Sequence, residues 1–248
     1  MILIKTKEEI QIMAEGGKIL STVLGQIEKM AKLGITTMQL DRAAEALILK
    51  HRGKPAFKGY ENFPYSLCTS VNNVIVHGFP SNYRLKEGDI VGLDLGVFYK
   101  GYNTDMAVSV AVGNVSFEAK RLLAVTKKAL KLGIKKARAG VTTGDLGNTI
   151  QRYVEDQGYG VVRELCGHGI GRNLHEDPQI PNYGQRHKGM ELKEGMVICI
   201  EPMVSMGSYQ LKKSSDGYGF ATKDGSLAAH FEHTVAITKD GCRILTAA

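Results

Sequence analysis

Two carboxylates in one predicted β-hairpin are the first feature of the sequence that could do chemistry. Residues 90–97 alternate between two sets of side chains, the period-2 pattern of a strand with one buried face. In the strand that follows residues 99–101, the apolar residues lie on one face and Asp105 lies on the other face. With a turn centred between Tyr99 and Lys100, Asp94 pairs directly with Asp105. Because like charges across a ladder repel, this pair predicts a shared proton or a shared cation.

The second half of the chain supplies three further candidate ligands. His168 lies among glycines, Glu201 ends an apolar run, and Glu232 alternates with apolar residues near the end of the chain. Four carboxylates and one imidazole suit two divalent cations of the Mn, Fe or Co type. Such ions, roughly 3.5–4 Å apart, would make a bridging water an effective nucleophile. Asp105 and Glu232 are the candidates to bridge them.

The elements that must position these residues recur along the chain. Apolar spacing predicts helices over residues 7–30, 36–49, 116–137 and 142–157, and Thr36 and Thr142 each begin a capping-box pattern. The sequence around Thr36 is echoed around Thr142, and the run ending in Asp94 is echoed by the run ending in Glu201. We therefore expect one α+β domain over residues 1–248, duplicated internally as halves of about 7–112 and 113–245.

Bulk composition favours a soluble globular protein of the cytoplasm. The 248 residues contain no apolar run near the roughly 18 residues of a membrane span, and no secretory signal. Four scattered cysteines indicate reduced thiols. The net charge of +7 favours an anionic neighbour such as a ribosome, and an ordinary basic surface explains it equally well. The lysines of residues 127–136 have the spacing of a solvated helix face, and no motif indicates specific nucleic-acid binding.

Five motifs, taken in order, resemble type I methionine aminopeptidases. They are residues 72–78 (Asn-Asn-Val-Ile-Val-His-Gly), the spacing of Asp94 and Asp105, residues 167–171 (Gly-His-Gly-Ile-Gly), residues 200–202 (Ile-Glu-Pro) and residues 232–234 (Glu-His-Thr). The resemblance spans residues 7 to 245. It implies the pita-bread fold, a curved antiparallel sheet flanked by helices with two pseudo-symmetric halves, and a monomer.

The resemblance also implies roles for individual residues. The metal ligands would be Asp94, Asp105, His168, Glu201 and Glu232. Glu201 would also carry protons, and the metal-bridging hydroxide would attack the first peptide carbonyl. The residues that would contact the substrate are His77, His175, Tyr60, Phe63, Cys68, Tyr218, Phe57 and Leu174. The first two would also stabilise the transition state, and Phe57 would lie at the pocket mouth.

The activity that the resemblance implies is removal of the initiator methionine from nascent chains with a small second residue. Leu174 and Tyr218 stand where many relatives have phenylalanine and tryptophan, so fine specificity is left open. Two alternatives remain: an Xaa-Pro peptidase or creatinase-like hydrolase, and an inactive scaffold that binds RNA or ribosomes. His233 alternates onto the apolar face of its strand, and we expect it to be structural.

Overall fold

The structure, a computed structural model, describes residues 2–247. Its α-helices are α1 Lys7–Met30, α2 Thr37–Lys50, α3 Phe117–Lys136 and α4 Thr143–Asp156. The capping boxes predicted at Thr36 and Thr142 are confirmed, because each hydroxyl accepts the backbone N–H of the third helical residue at 3.1 Å. Helix bounds therefore follow local sequence closely. No helix in this part of the chain is long and apolar enough to span a bilayer.

The strands are short apart from one long hairpin, and every strand pair described is antiparallel. In chain order they are β1 Lys54–Pro55, β2 Leu67–Val71, β3 Val74–Val76, β4 Ile90–Tyr99, β5 Tyr102–Ala111, β6 Gly160–Val161, β7 Cys166–Gly169, β8 Glu176–Pro181, β9 Val197–Ile200, β10 Met203–Ser205, β11 Leu211–Lys213, β12 Phe220–Thr222, β13 Ala228–His230, β14 His233–Ile237 and β15 Cys242–Ile244. A 3₁₀ turn covers Tyr60–Asn62.

Two main sheets carry the two halves of the chain. In the first, β4 pairs with β5 on one side and with β1 and β2 on the other; the second has the order β15-β14-β9-β7-β8. The sheets meet where β5 faces β14. There the Thr234 hydroxyl donates to the Asp105 carbonyl at 2.8 Å and accepts the Asp105 N–H at 2.9 Å. Strands that carry acidic residues from both halves are thereby joined.

Each sheet is covered by its own pair of helices. Leu20 of α1, Leu40 of α2 and Leu93 of β4 belong to one buried apolar cluster. Leu122 of α3 and Ile150 of α4 lie in the other, with the strands of the second half. The apolar faces of all four helices are therefore turned inward, and the sheet faces between the halves are left for polar groups.

The predicted register of the long hairpin was wrong: each residue of β4 pairs with a residue of β5 two positions later than predicted. The structure pairs Asp94 with Ala107 and Asp105 with Gly96. The turn is Lys100-Gly101, and both residues have positive φ (47° and 93°), as the tight turn that suits strand twist requires. A shift by two residues preserves the face, so the two carboxylates are diagonal neighbours on one face and do not pair directly.

Candidate active site

All five predicted ligands line one cavity between the two sheets. Asp94 lies on β4, Asp105 on β5 and His168 on β7, while Glu201 directly follows β9 and Glu232 directly precedes β14. The cavity has a volume of about 800 Å³. The four carboxylates are at most 8% exposed. Residues far apart in sequence thus converge at a buried and strongly acidic point.

The carboxylates crowd one another. One carboxylate oxygen from each of Asp94, Asp105 and Glu232 lies within 4.8 Å of the other two. Glu232 also has a carboxylate oxygen within 4.8 Å of a ring nitrogen of His168, and one within 4.8 Å of a carboxylate oxygen of Glu201. The Nε2 atom of His168 is 3.7 Å from Oε1 of Glu201. Glu232 therefore occupies the centre of the cluster, in the position expected of a residue shared by two ions.

Burial raises the pKa of all four carboxylates because it penalises their ionised forms. The pKa of Asp94 rises to about 6, with the nearby His230 acting against the rise. For Asp105 and Glu232, burial is followed by repulsion from neighbouring carboxylates, and for Glu201 by repulsion from Asp94. Without a cation, these carboxyl groups therefore keep their protons at pH values where solvent-exposed carboxyl groups would be ionised.

The donor set fits divalent cations. Oδ1 of Asp94 and Oε1 of Glu232 are buried without a hydrogen-bond partner among the described residues, so each has unused acceptor capacity that a cation would satisfy. Four carboxylates match the charge of two divalent ions, and the oxygen and imidazole donors suit first-row metals.

His168 is oriented as a ligand. Its Nδ1 is 2.8 Å from the Gly169 carbonyl oxygen, which can only accept, so the proton lies on Nδ1. The Nε2 lone pair then faces the carboxylates, the tautomer that a metal requires. Burial, followed by the neighbouring His175, lowers the pKa of His168 to about 3, which keeps the imidazole neutral.

The two predicted substrate histidines also line the cavity. The ring of His175 stands edge-on to that of His168, with centroids 4.3 Å apart, and its Nδ1 is 3.0 Å from the Tyr60 hydroxyl. His77 has a left-handed backbone (φ 60°), a costly conformation for a residue with a side chain. Burial lowers the pKa of His77 to about 4, so its imidazole is neutral.

The predicted methionine pocket forms the apolar wall of the same cavity. The wall residues are Phe57, Tyr60, Phe63, Cys68, Leu174 and Tyr218. Phe63 is central, since its ring contacts those of Phe57 and Tyr218 at centroid distances of 6.4 and 5.4 Å. Tyr218 also stacks on Phe79 at 4.9 Å. An apolar side chain entering the cavity would find aromatic surface beside the acidic cluster.

Sequence reasoning missed His230. It ends β13, is 3% exposed, and its Nε2 lies 3.4 Å from Glu201 and 3.9 Å from Glu232. The available signal was its position two residues before Glu232. His233, by contrast, contacts Thr246 at 2.9 Å through Nδ1. Cys199 was likewise not singled out, although its thiol lies within reach of His168 and Glu232.

Comparison with known proteins identifies the class. The sequence model of a family described as "Metallopeptidase family M24" matches residues 11–239, and the chain belongs to this family. Its fold is the pita-bread fold of these enzymes. A methionine aminopeptidase of Clostridium perfringens is 49% identical over 246 residues, 99% of each chain. Methionine aminopeptidase 1 of Bacillus subtilis is 47% identical over 246 residues, 99% of each chain.

Solved structures agree with the sequence relatives. The crystal structure of a Thermotoga maritima methionine aminopeptidase matches with a TM-score of 0.98 at 44% identity, covering all of both chains. A prolidase from Pyrococcus furiosus matches with a TM-score of 0.81 at 27% identity. That match covers 99% of this chain but only 65% of the prolidase.

Proposed function

We propose that Asp94, Asp105, His168, Glu201 and Glu232 hold two divalent ions, of the Mn, Fe or Co type, for removal of N-terminal methionine from nascent chains. The protein is a metal-dependent exopeptidase of the methionine aminopeptidase class. The observation that carries the proposal is the convergence of these five side chains beside the apolar wall of one cavity, with an unpartnered buried oxygen on Asp94 and on Glu232. With both ions bound, Asp105 and Glu232 would be the ligands that the two ions share.

When bound, the ions supply polarisation of the scissile carbonyl and a lowered pKa for water. The protein supplies proton transfer, for which Glu201 is placed at the edge of the cluster, beside His168. In the metal-free cluster, burial and then the charge of Asp94 raise the pKa of Glu201. A small second residue in the substrate is the preference that we propose.

The two neutral histidines hold the peptide. If the Tyr60 hydroxyl donates to Nδ1 of His175, the remaining N–H of His175 lies on Nε2 and is free to donate into the cavity. His77 lines the same cavity, with its ring centroid 6.4 Å from that of Tyr218. N–H donors directed at a carbonyl stabilise the negative charge that develops on its oxygen.

The aromatic wall selects methionine. Phe63, Cys68 and Tyr218, with Tyr60 and Phe57, offer apolar and polarisable surface that matches a flexible thioether. Burying such a side chain is worth about 1.5–3 kcal/mol. Leu174 and Tyr218 keep this wall apolar, so we propose that they adjust the pocket's shape and leave the reaction unchanged.

We further propose one catalytic domain built from two duplicated halves, about residues 7–112 and 113–245. Equivalent isolated bridges support this: Thr36 pairs with Arg84, and Thr142 pairs with Glu191. Each bridge joins the cap of a second helix to the residue before the strand run that ends in Asp94 or Glu201. Such a repeated contact is expected of a duplicated unit.

We place the enzyme in the cytoplasm as a monomer, with nascent N-termini as its partners. The four free cysteines support a reducing compartment. The lysines on α3 and the net charge of +7 leave transient contact with the ribosome as a further proposal.

The test is hydrolysis of Met-Ala-Ser and of Gly-Pro-Ala by metal-stripped protein, with and without added Mn²⁺, Co²⁺ or Fe²⁺. We expect metal-dependent release of free methionine, loss of that release in Asp94→Asn, and full release in the exposed control Asp240→Asn. Cleavage of Gly-Pro-Ala alone would assign the protein to the Xaa-Pro peptidases. Cleavage of neither peptide, with no metal bound, would overturn the proposal in favour of an inactive scaffold.

A further inference from the structure

His230 is a buried imidazole at the site for which the proposed function has no role. Its backbone is clamped to β5, because the His230 N–H donates to the Ser109 hydroxyl at 2.9 Å and that hydroxyl donates to the His230 carbonyl at 2.8 Å. The ring therefore projects from a fixed point of the sheet and is 3% exposed. A histidine held in this way is preorganised for one contact.

The nearest carboxylate oxygen to the His230 ring is Oε2 of Glu201. Nε2 of His230 lies 3.4 Å from Oε2 of Glu201, whereas Nε2 of His168 lies 3.7 Å from Oε1 of the same carboxylate. The two imidazoles thus face different oxygens of one side chain. Nε2 of His230 has no hydrogen-bond partner among the residues described, which is unfavourable for a buried polar atom.

We propose that His230 is a positioning residue, whose Nε2–H donates to Oε2 of Glu201 and leaves Oε1 to bind the ion that His168 also binds. This inference rests on the proposed metal ligands. The present separation is a few tenths of an ångström longer than a good N–H···O bond, so a small rotation of either side chain closes it. Hydrogen bonds to ligating carboxylates fix their direction and strengthen metal binding.

Direct coordination by His230 is the competing arrangement. It would require an ion on the Oε2 side of Glu201, away from the oxygen that faces His168. If His230 only donates a hydrogen bond, an amide that donates from a similar position should support metal binding as well as the imidazole does. If His230 is itself a ligand, the amide should not. His230→Gln keeps an N–H donor, His230→Asn is too short to reach Glu201, and His230→Leu keeps bulk without a donor.

The experiment is calorimetric titration of metal-stripped protein with Mn²⁺, together with the visible spectrum of the Co²⁺ form. We expect His230→Leu and His230→Asn to weaken Mn²⁺ affinity by about 10- to 100-fold, and His230→Gln to stay within about threefold of the wild type. His233→Leu, which removes a neighbouring imidazole that contacts Thr246, is the matched control and should bind like the wild type.

Each outcome separates the inference from the function beneath it. An unchanged Co²⁺ spectrum in His230→Gln supports the positioning role, and a spectrum that shows loss of a nitrogen ligand would overturn it. Wild-type affinity in His230→Asn would also overturn it, and this variant stays polar and informative even if His230→Leu folds poorly. If wild-type protein bound no Mn²⁺ and released no methionine, the proposed function itself would fail.

Discussion

Replacing Asp94 by asparagine should change how the stability of the metal-free protein depends on pH. Asp94 is 7% exposed and lies among three other buried carboxylates. Burial raises its pKa from the usual 3.8 to about 6. The folded protein therefore binds the Asp94 proton more tightly than the unfolded chain does. Asparagine has nearly the same shape and carries no charge at any pH.

The expected magnitude follows from this pKa. A rise from 3.8 to about 6 is equivalent to about 3 kcal/mol, at about 1.4 kcal/mol per pKa unit. The contribution is fully present below pH 3.8 and is lost as the pH rises through about 6. The free energy of unfolding of Asp94→Asn, minus that of the wild type, should therefore increase by about 2–2.5 kcal/mol between pH 4 and pH 7, because part of the contribution is already lost at pH 4. Loss of repulsion at Glu201 and Glu232 acts in the same direction.

The assay is urea unfolding of both proteins after chelator treatment, at several pH values. Asp224→Asn is a control of opposite sign, since hydrogen bonds from the Ser208 backbone and Ser226 lower the pKa of Asp224 to about 2. At neutral pH, saturating Mn²⁺ should offset the stability that Asp94→Asn gains over the wild type, because an ion at 100 times its Kd adds about 2.7 kcal/mol to the free energy of unfolding of the wild type. A difference between Asp94→Asn and the wild type that does not change with pH would refute the reasoning.

Three further predictions concern the frame of the site. Tyr60→Phe removes the hydrogen bond to His175 and should lower kcat for Met-Ala-Ser roughly threefold to tenfold, with bound metal unchanged. Lys5→Met leaves the Glu176 carboxylate buried without its 2.6 Å ion pair and should lower the free energy of unfolding by about 3 kcal/mol in urea titrations. Gly147→Ala drives a Cβ into the Tyr183 carbonyl oxygen and should lower the free energy of unfolding by about 1–3 kcal/mol, measured in the same way.

Matched variants separate these effects from general damage. Gly25→Ala, in a part of α1 with nothing within 4 Å of the added Cβ, should stabilise the protein by about 0.5–1 kcal/mol. Adding Glu176→Leu to Lys5→Met should restore most of the lost stability, because it removes the unpaired charge. Loss of bound metal in Tyr60→Phe would contradict the role given to Tyr60.

Local signals predicted most of the helices and the donor residues. The capping boxes at Thr36 and Thr142 defined helix starts, since capping depends on residues three apart in sequence. Strand alternation put Asp94 and Asp105 on one face. The hairpin register was missed because it depends on the turn type, and Gly101 allowed a turn one residue later than expected.

Long-range contacts were beyond the sequence. The meeting of β5 with β14 through Thr234 joins segments far apart in the chain, and no periodic pattern encodes it. His230 escaped notice for the same reason: β13 ends at His230 and β14 begins at His233, so alternation along a single strand does not predict where its side chain points. The carboxylates were easier to predict, because charged residues inside apolar runs stand out by themselves.

The central claim is that five side chains from both halves hold two ions where the peptide is cut. It is tested most directly by an anomalous difference map from a crystal of the protein grown with Mn²⁺. We expect two peaks, roughly 3.5–4 Å apart, enclosed by Asp94, Asp105, His168, Glu201 and Glu232. Peaks elsewhere on the protein, or none among these residues in protein that releases methionine, would contradict it.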